Sequence, residues 1–188
     1  MPWATPSSVS TGDVLTASKW NQDVVTNTTD LRSYQNRFAS QRYSGASDLT
    51  LNSTSWATVP SLTDVSVGAS VGDVLMYSVS MQVGNEAVGV DFDVVTIVSA
   101  AVVNSFTTGS STIPTSGGIP SWYCGVSALG YPGAPIYYTV VAGDISSGTV
   151  TCRLRYKTTS AANKSIYAKG STQYYVNTFL RNLGPVTT

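Results

Sequence analysis

Near residue 40 the spacing of apolar residues changes period, and that change divides the chain into a helical part and a β part. Trp20, Val24, Asn27, Leu31, Tyr34 and Phe38 follow one another in alternating steps of four and three, the a/d seam of a coiled coil, with Asn27 as its polar member. Thr16 is placed to cap a helix that starts at Ala17, and no Gly or Pro interrupts the run to Phe38. The other helix positions are polar, among them Gln22, Asp23, Arg32, Gln35 and Arg37. A narrow apolar seam on a wet helix must be covered, either by copies of itself or by the β part of its own chain. Fewer than three heptads are marginal in isolation, so self-association would also need the domain that follows.

From Gln41 onward the period is 2 and turn residues recur at short intervals, the pattern of an all-β sandwich or barrel. Leu75, Tyr77, Val79, Met81 and Val83 alternate with Met76, Ser78, Ser80 and Gln82, which describes a half-buried strand. Val150, Cys152, Leu154 and Tyr156 alternate with Thr149, Thr151, Arg153, Arg155 and Lys157, so a cationic row projects outward from a second such strand. Residues 136–141 and 174–180 carry large apolar or aromatic side chains on both faces, which calls for a cover on each side. Residues 107–120 form the longest stretch of turn formers, and a second turn, 130–135, carries Tyr131.

Among 188 residues there is no His, and ten basic residues balance ten acidic ones. Imidazole general bases, His-paired nucleophiles and most zinc sites are therefore excluded. A charged fraction of 11% with no basic cluster argues against a nucleic-acid partner. The most apolar stretch, residues 94–103, is too short to span a bilayer, and residues 1–6 have no secretory pattern, so neither membrane insertion nor export by a signal peptide is expected. Asp91 and Asp93 share a strand face about 7 Å apart, a spacing compatible with paired carboxylates of glycoside hydrolysis. No partner with a raised pKa or cleft supports that chemistry, so a solvated surface pair is the expected reading. Glu86 is expected in a turn with Gly84 and Asn85. Cys124 and Cys152 both alternate with inward residues and read as buried thiols, a disulfide staying open because the sequence holds no distance. The three N-x-S/T triplets at Asn27, Asn52 and Asn163 carry no weight in a chain so rich in Ser and Thr. Trp122 reads as core, and Tyr123 and Tyr131 are the candidate receptor contacts. No catalytic residue, cofactor or metal is expected.

Trp3, Pro6, the run T-G-D-V-L-T-A-S-K-W-N at 11–21, Asn27 and 30–32 together resemble the N-terminal segment of structural proteins from tailed-bacteriophage virions. The likeness covers about a fifth of the chain. It implies that residues 1–15 are an extended virion-anchoring segment, with Trp3 and Pro6 in the anchor, and that residues 16–40 are a helix forming a short trimeric coiled coil. The runs V-A-G-D, T-V-T-C-R-L-R-Y-K-T-T-S and Y-Y-V-N-T-F-L-R-N-L-G-P resemble the last strands of trimeric jelly-roll heads of the tumour-necrosis-factor or C1q type. That likeness implies a mainly β fold in which residues 41–188 form an antiparallel β-sandwich or jelly-roll head.

The functional expectation is a non-enzymatic homotrimeric virion protein made in the host cytoplasm. It would be a tail fibre, head fibre or capsid decoration, anchored through other virion proteins, with an outward head that contacts a host-surface glycan or protein. The alternative is a small carbohydrate-binding or hydrolytic β-sandwich protein.

Overall fold

The protein is described by a computed structural model covering residues 16–28, 36–43, 45, 47–84, 88–106, 135–168 and 176–185, together with the backbone of 122–124. In chain order the strands are β1 (Phe38–Tyr43), β2 (Leu49–Leu51), β3 (Ala57–Thr58), β4 (Val65–Gly68), β5 (Asp73–Ser80), β6 (Gln82–Val83) and β7 (Val90–Val98). They continue as β8 (Ala101–Ser105), β9 (Trp122–Cys124), β10 (Ile136–Thr139), β11 (Ile145–Ser146), β12 (Thr149–Thr158), β13 (Lys164–Tyr167) and β14 (Val176–Pro185).

Among the described residues these strands form three antiparallel sheets. A four-stranded sheet runs β1-β14-β5-β10, and a larger one runs β11-β12-β7-β8, with β3 and β4 added on β12 and β9 on β7. A small third sheet is β2-β13-β6. The fold is thus mainly β, and the two main sheets close on one apolar core, as a β-sandwich requires. β5 supplies Leu75, Tyr77 and Val79 to that core, β14 supplies Val176 and Leu180, and β12 supplies Val150, Cys152, Leu154 and Tyr156. Period 2 in these segments is therefore real inward and outward alternation, and each fully buried large side chain contributes about 1.5–3 kcal/mol. Phe106 stacks on Tyr138 with ring centroids 4.8 Å apart and meets Tyr77 edge-on at 6.4 Å. Two-residue turns in the left-handed region, Ser99–Ala100 and Ser147–Gly148, join β7 to β8 and β11 to β12. Their backbone twist matches that of the strands they connect.

Near the N-terminus the chain forms an α-helix, Ala17–Trp20, capped by Thr16 Oγ1 accepting from the Lys19 amide at 3.3 Å. It continues as a π-helix, Asn21–Thr26. A π segment holds more residues per turn than the 3.5 of a heptad seam. Of the seam positions here, Trp20 and Val24 are exposed and Asn27 is buried. Leu31 and Tyr34 lie outside the described residues. Phe38 corrects the helical reading: it opens β1, opposite Arg181 of β14, so the helix cannot extend to residue 40. The physical reason is that Ala39, Gln41 and Tyr43 also fall on one side at period 2, and pairing with β14 satisfies their backbone groups.

Candidate interaction surfaces

Among the described residues, two outward faces and a buried polar cluster hold chemically notable side chains. The first face belongs to the four-stranded sheet. Strand register places Phe38, Arg181, Met76 and Tyr137 in one row across β1, β14, β5 and β10, with Ser40, Phe179 and Ser78 in the next. A groove of about 490 Å³ opens there, lined by Arg37, Phe38, Met76, Ser78, Phe179, Arg181, Asn182 and Leu183. The Phe38 and Phe179 rings lie 6.3 Å apart, yet Phe38 is 55% exposed and Leu183 46%. Outward residues of a solvated sheet face are ordinarily polar. Here Phe38, Met76, Phe179 and Leu183 stand among serines and arginines.

The second face is that of the larger sheet, where the outward cationic row of β12 meets a matching acidic row. Arg153 donates to both oxygens of Asp64 at 2.8 Å each. Arg155 donates through Nε at 2.9 Å and Nη2 at 2.7 Å to Asp93 Oδ2, and Lys157 Nζ lies 3.7 Å from Asp91. Register explains the last two pairs, since Arg155 opposes Asp93 and Lys157 opposes Asp91 across β12 and β7. Asp91 and Asp93 are therefore not the solvated pair expected from alternation alone. Asp93 is only 1% exposed and also accepts from the Ser105 hydroxyl at 3.0 Å. Its burial pushes the carboxyl above its ordinary range, against the lowering effect of Arg155 and Ser105. Trp56, just before β3, lies over this row, with the Arg155 guanidinium 4.8 Å and the Lys157 ammonium 5.1 Å from its ring centre.

The buried cluster is centred on Asp144, at the end of the 3₁₀ turn Ala142–Asp144. Its carboxylate accepts from Thr96 Oγ1 at 2.6 Å, Asn104 Nδ2 at 2.8 Å, Tyr138 Oη at 2.7 Å and the Val141 amide at 2.9 Å. β7, β8 and β10 are tied together at one point. Four donors on one carboxylate satisfy it fully, which makes the cluster a structural clamp and leaves no lone pair directed at a substrate. Among the described residues no group of three or more His, Cys, Asp or Glu side chains is arranged to hold a metal.

Of the residues singled out from sequence, Trp3, Pro6 and Tyr131 lie outside the described residues. Tyr123 is the backbone partner of Asp91 on β9, and Trp122 that of Phe92. Cys152 is a buried free thiol whose titration burial pushes well up. Sequence reasoning missed Trp56, Asp64 and the groove. A signal for the first two existed, because three cations projecting from one strand need neighbouring carboxylates or an aromatic face.

No family model matches the chain, and no curated protein matches it. Among solved structures, Eiger TNF from S. frugiperda is similar to it at 10% identity and a TM-score of 0.38, over 81% of this chain and 96% of that one.

Proposed function

We propose that this chain is a non-enzymatic structural protein that assembles as a homotrimer, with a jelly-roll head and an N-terminal segment that anchors it to other proteins of a virion. The observation that carries this reading is the apolar outer face of the four-stranded sheet. Phe38, Met76, Phe179 and Leu183 together form a groove on a sheet that is already covered on its other side by the core. A contiguous apolar patch of this kind marks a surface that meets another protein. Arg37 and Arg181 also line the groove.

Two further observations support the reading. Trp20, Val24 and Val25 are exposed on the N-terminal helical segment. The carboxylates of the larger sheet are engaged by arginine or lysine, and Asp144 by four donors, an arrangement suited to holding strands together. The virion context rests on the resemblance of residues 3–32 to phage structural proteins, with Trp3 and Pro6 in the anchor and assembly in the host cytoplasm.

Sedimentation equilibrium at micromolar concentration tests the assembly, with an expected mass of three times 19.8 kDa. Leu183→Asp should shift the mass toward that of one chain, because a buried unpaired charge is costly. A wild-type protein that sediments as a monomer would overturn the proposal. Removal of residues 1–15 should leave the assembly intact and abolish incorporation into particles.

A further inference from the structure

We infer that Trp56, with Lys157 and Asp91 beside it, is a binding platform for a neutral hexose unit of a surface glycan. Trp56 is 38% exposed although it follows a turn that is firmly held. The Ser53 carbonyl accepts from the Thr158 amide at 2.8 Å and the Thr158 hydroxyl at 2.9 Å, and the Asn52 amide donates to the Tyr156 hydroxyl at 3.3 Å. Within the turn, Ser53 Oγ donates to the Ser55 carbonyl at 2.7 Å and accepts from the Ser55 amide at 3.3 Å. The segment that presents the indole is thus fixed to β12 before any ligand arrives, which lowers the entropic cost of binding.

Arg155 and Lys157 are two residues apart on the same strand and rise from the same side of the sheet. Their cationic groups lie 4.8 and 5.1 Å from the centre of the indole, and the residue keeps 38% of its surface open to solvent. A flat aromatic surface takes the C–H face of a pyranose ring, whose hydroxyls then project toward polar groups at the rim. Those groups are present. The Lys157–Asp91 pair is 3.7 Å long, against 2.7–2.8 Å for the two arginine pairs, and both of its members are partly exposed. Such a loose pair can open to donate from the ammonium and accept at the carboxylate. Its charges cancel, as do those of Arg155 and Asp93, so the platform favours a neutral sugar over a sialic or uronic acid.

The platform lies on the larger sheet, whereas the apolar groove lies on the four-stranded sheet. This inference names a partner for the proposed head and rests on that reading only for the direction in which the head faces. Binding by the purified chain is independent of it. Three linked copies of a weak site would gain avidity toward a repeating glycan.

The test is a titration of the whole protein with cellotetraose, maltotetraose and lactose, followed by the indole N–H resonances of the four tryptophans, with Trp56 assigned by its absence from Trp56→Phe. The expected result is a saturable shift of the Trp56 resonance by at least one of the three. Trp56→Ala should weaken binding at least tenfold and Lys157→Met severalfold, while sialyllactose should bind no better than lactose. Circular dichroism and sedimentation of each variant should match wild type. Absence of a Trp56 shift with all three neutral sugars overturns the inference, as does binding that survives in a folded Trp56→Ala. So does attachment to cells that depends on Trp56, survives enzymatic removal of the surface glycans and is lost on protease treatment of the cells, which would make the partner a protein. A monomeric wild type that still binds through Trp56 would refute the assembly proposal and leave this one standing.

Discussion

Arg155 and Asp93 face each other across β12 and β7, and both guanidinium donors converge on a single oxygen of a carboxylate that is almost fully buried. Removing the cation while keeping the volume leaves that carboxylate without its charge partner. Arg155→Met should therefore cost about 3–5 kcal/mol in urea denaturation. The double change with Asp93→Asn should cost less than Arg155→Met alone, because the stranded charge is gone. Equal losses in the two variants would show that Asp93 does not depend on Arg155.

The same carboxylate sets a direction with pH. Burial, the largest influence, raises its native titration above that of the unfolded chain. Between those two points the native state binds more proton than the unfolded state, so stability contributed by this group falls as pH rises. It is fully present below the unfolded carboxylate value and is lost as pH passes the native one. The stability of wild type relative to Asp93→Asn should consequently decline from pH 3 toward neutrality in paired urea titrations. A difference that grows with pH would reverse the sign assigned to Asp93.

Asp144 should matter to folding out of proportion to its size. Asp144→Ala strands the Tyr138 hydroxyl, the Thr96 hydroxyl, the Asn104 amide and the Val141 N–H at the same time. With about 1–3 kcal/mol for each buried group left unsatisfied, and some relief by water, a net loss of about 3 kcal/mol or more is expected. Hydrogen exchange should accelerate first in β8 and β10. A loss under 1 kcal/mol would mean that water replaces the carboxylate without penalty.

Cys152 should be inert in the folded protein. It is fully buried, and burial together with the nearby Asp144 disfavours its thiolate, which is the reactive form. Mass spectrometry after iodoacetamide treatment should find Cys152 labelled only at the rate of unfolding. It should also find no disulfide within the chain. Cys124 opposes Val90 and Cys152 opposes Thr96 from the other side of β7, so six residues and two inter-strand gaps put them about 20 Å apart, far beyond disulfide reach. Rapid native labelling of Cys152 would contradict its position in the core.

What the sequence determined by itself is which side of each strand is buried. Leu75, Tyr77 and Val79, and Val150, Cys152, Leu154 and Tyr156, could be assigned inward because side-chain direction along a strand is a local property of period 2. The Thr16 cap was equally local. Which strand lies beside which is not local, and every departure comes from that. Asp93 looked solvated because alternation places it outward. It is buried because Arg155, sixty-two residues away, and Ser105 close over it once β7 pairs with β12 and β8. Phe38 fitted a helical seam, but pairing with β14 turned it into the first residue of a strand and an edge of the apolar groove. Trp56 carried no periodic signal at all, and only the packing of its turn on β12 set it over two cations. Periodicity encodes the face of an element, whereas register, and with it every ion pair and surface site here, is decided when distant strands meet.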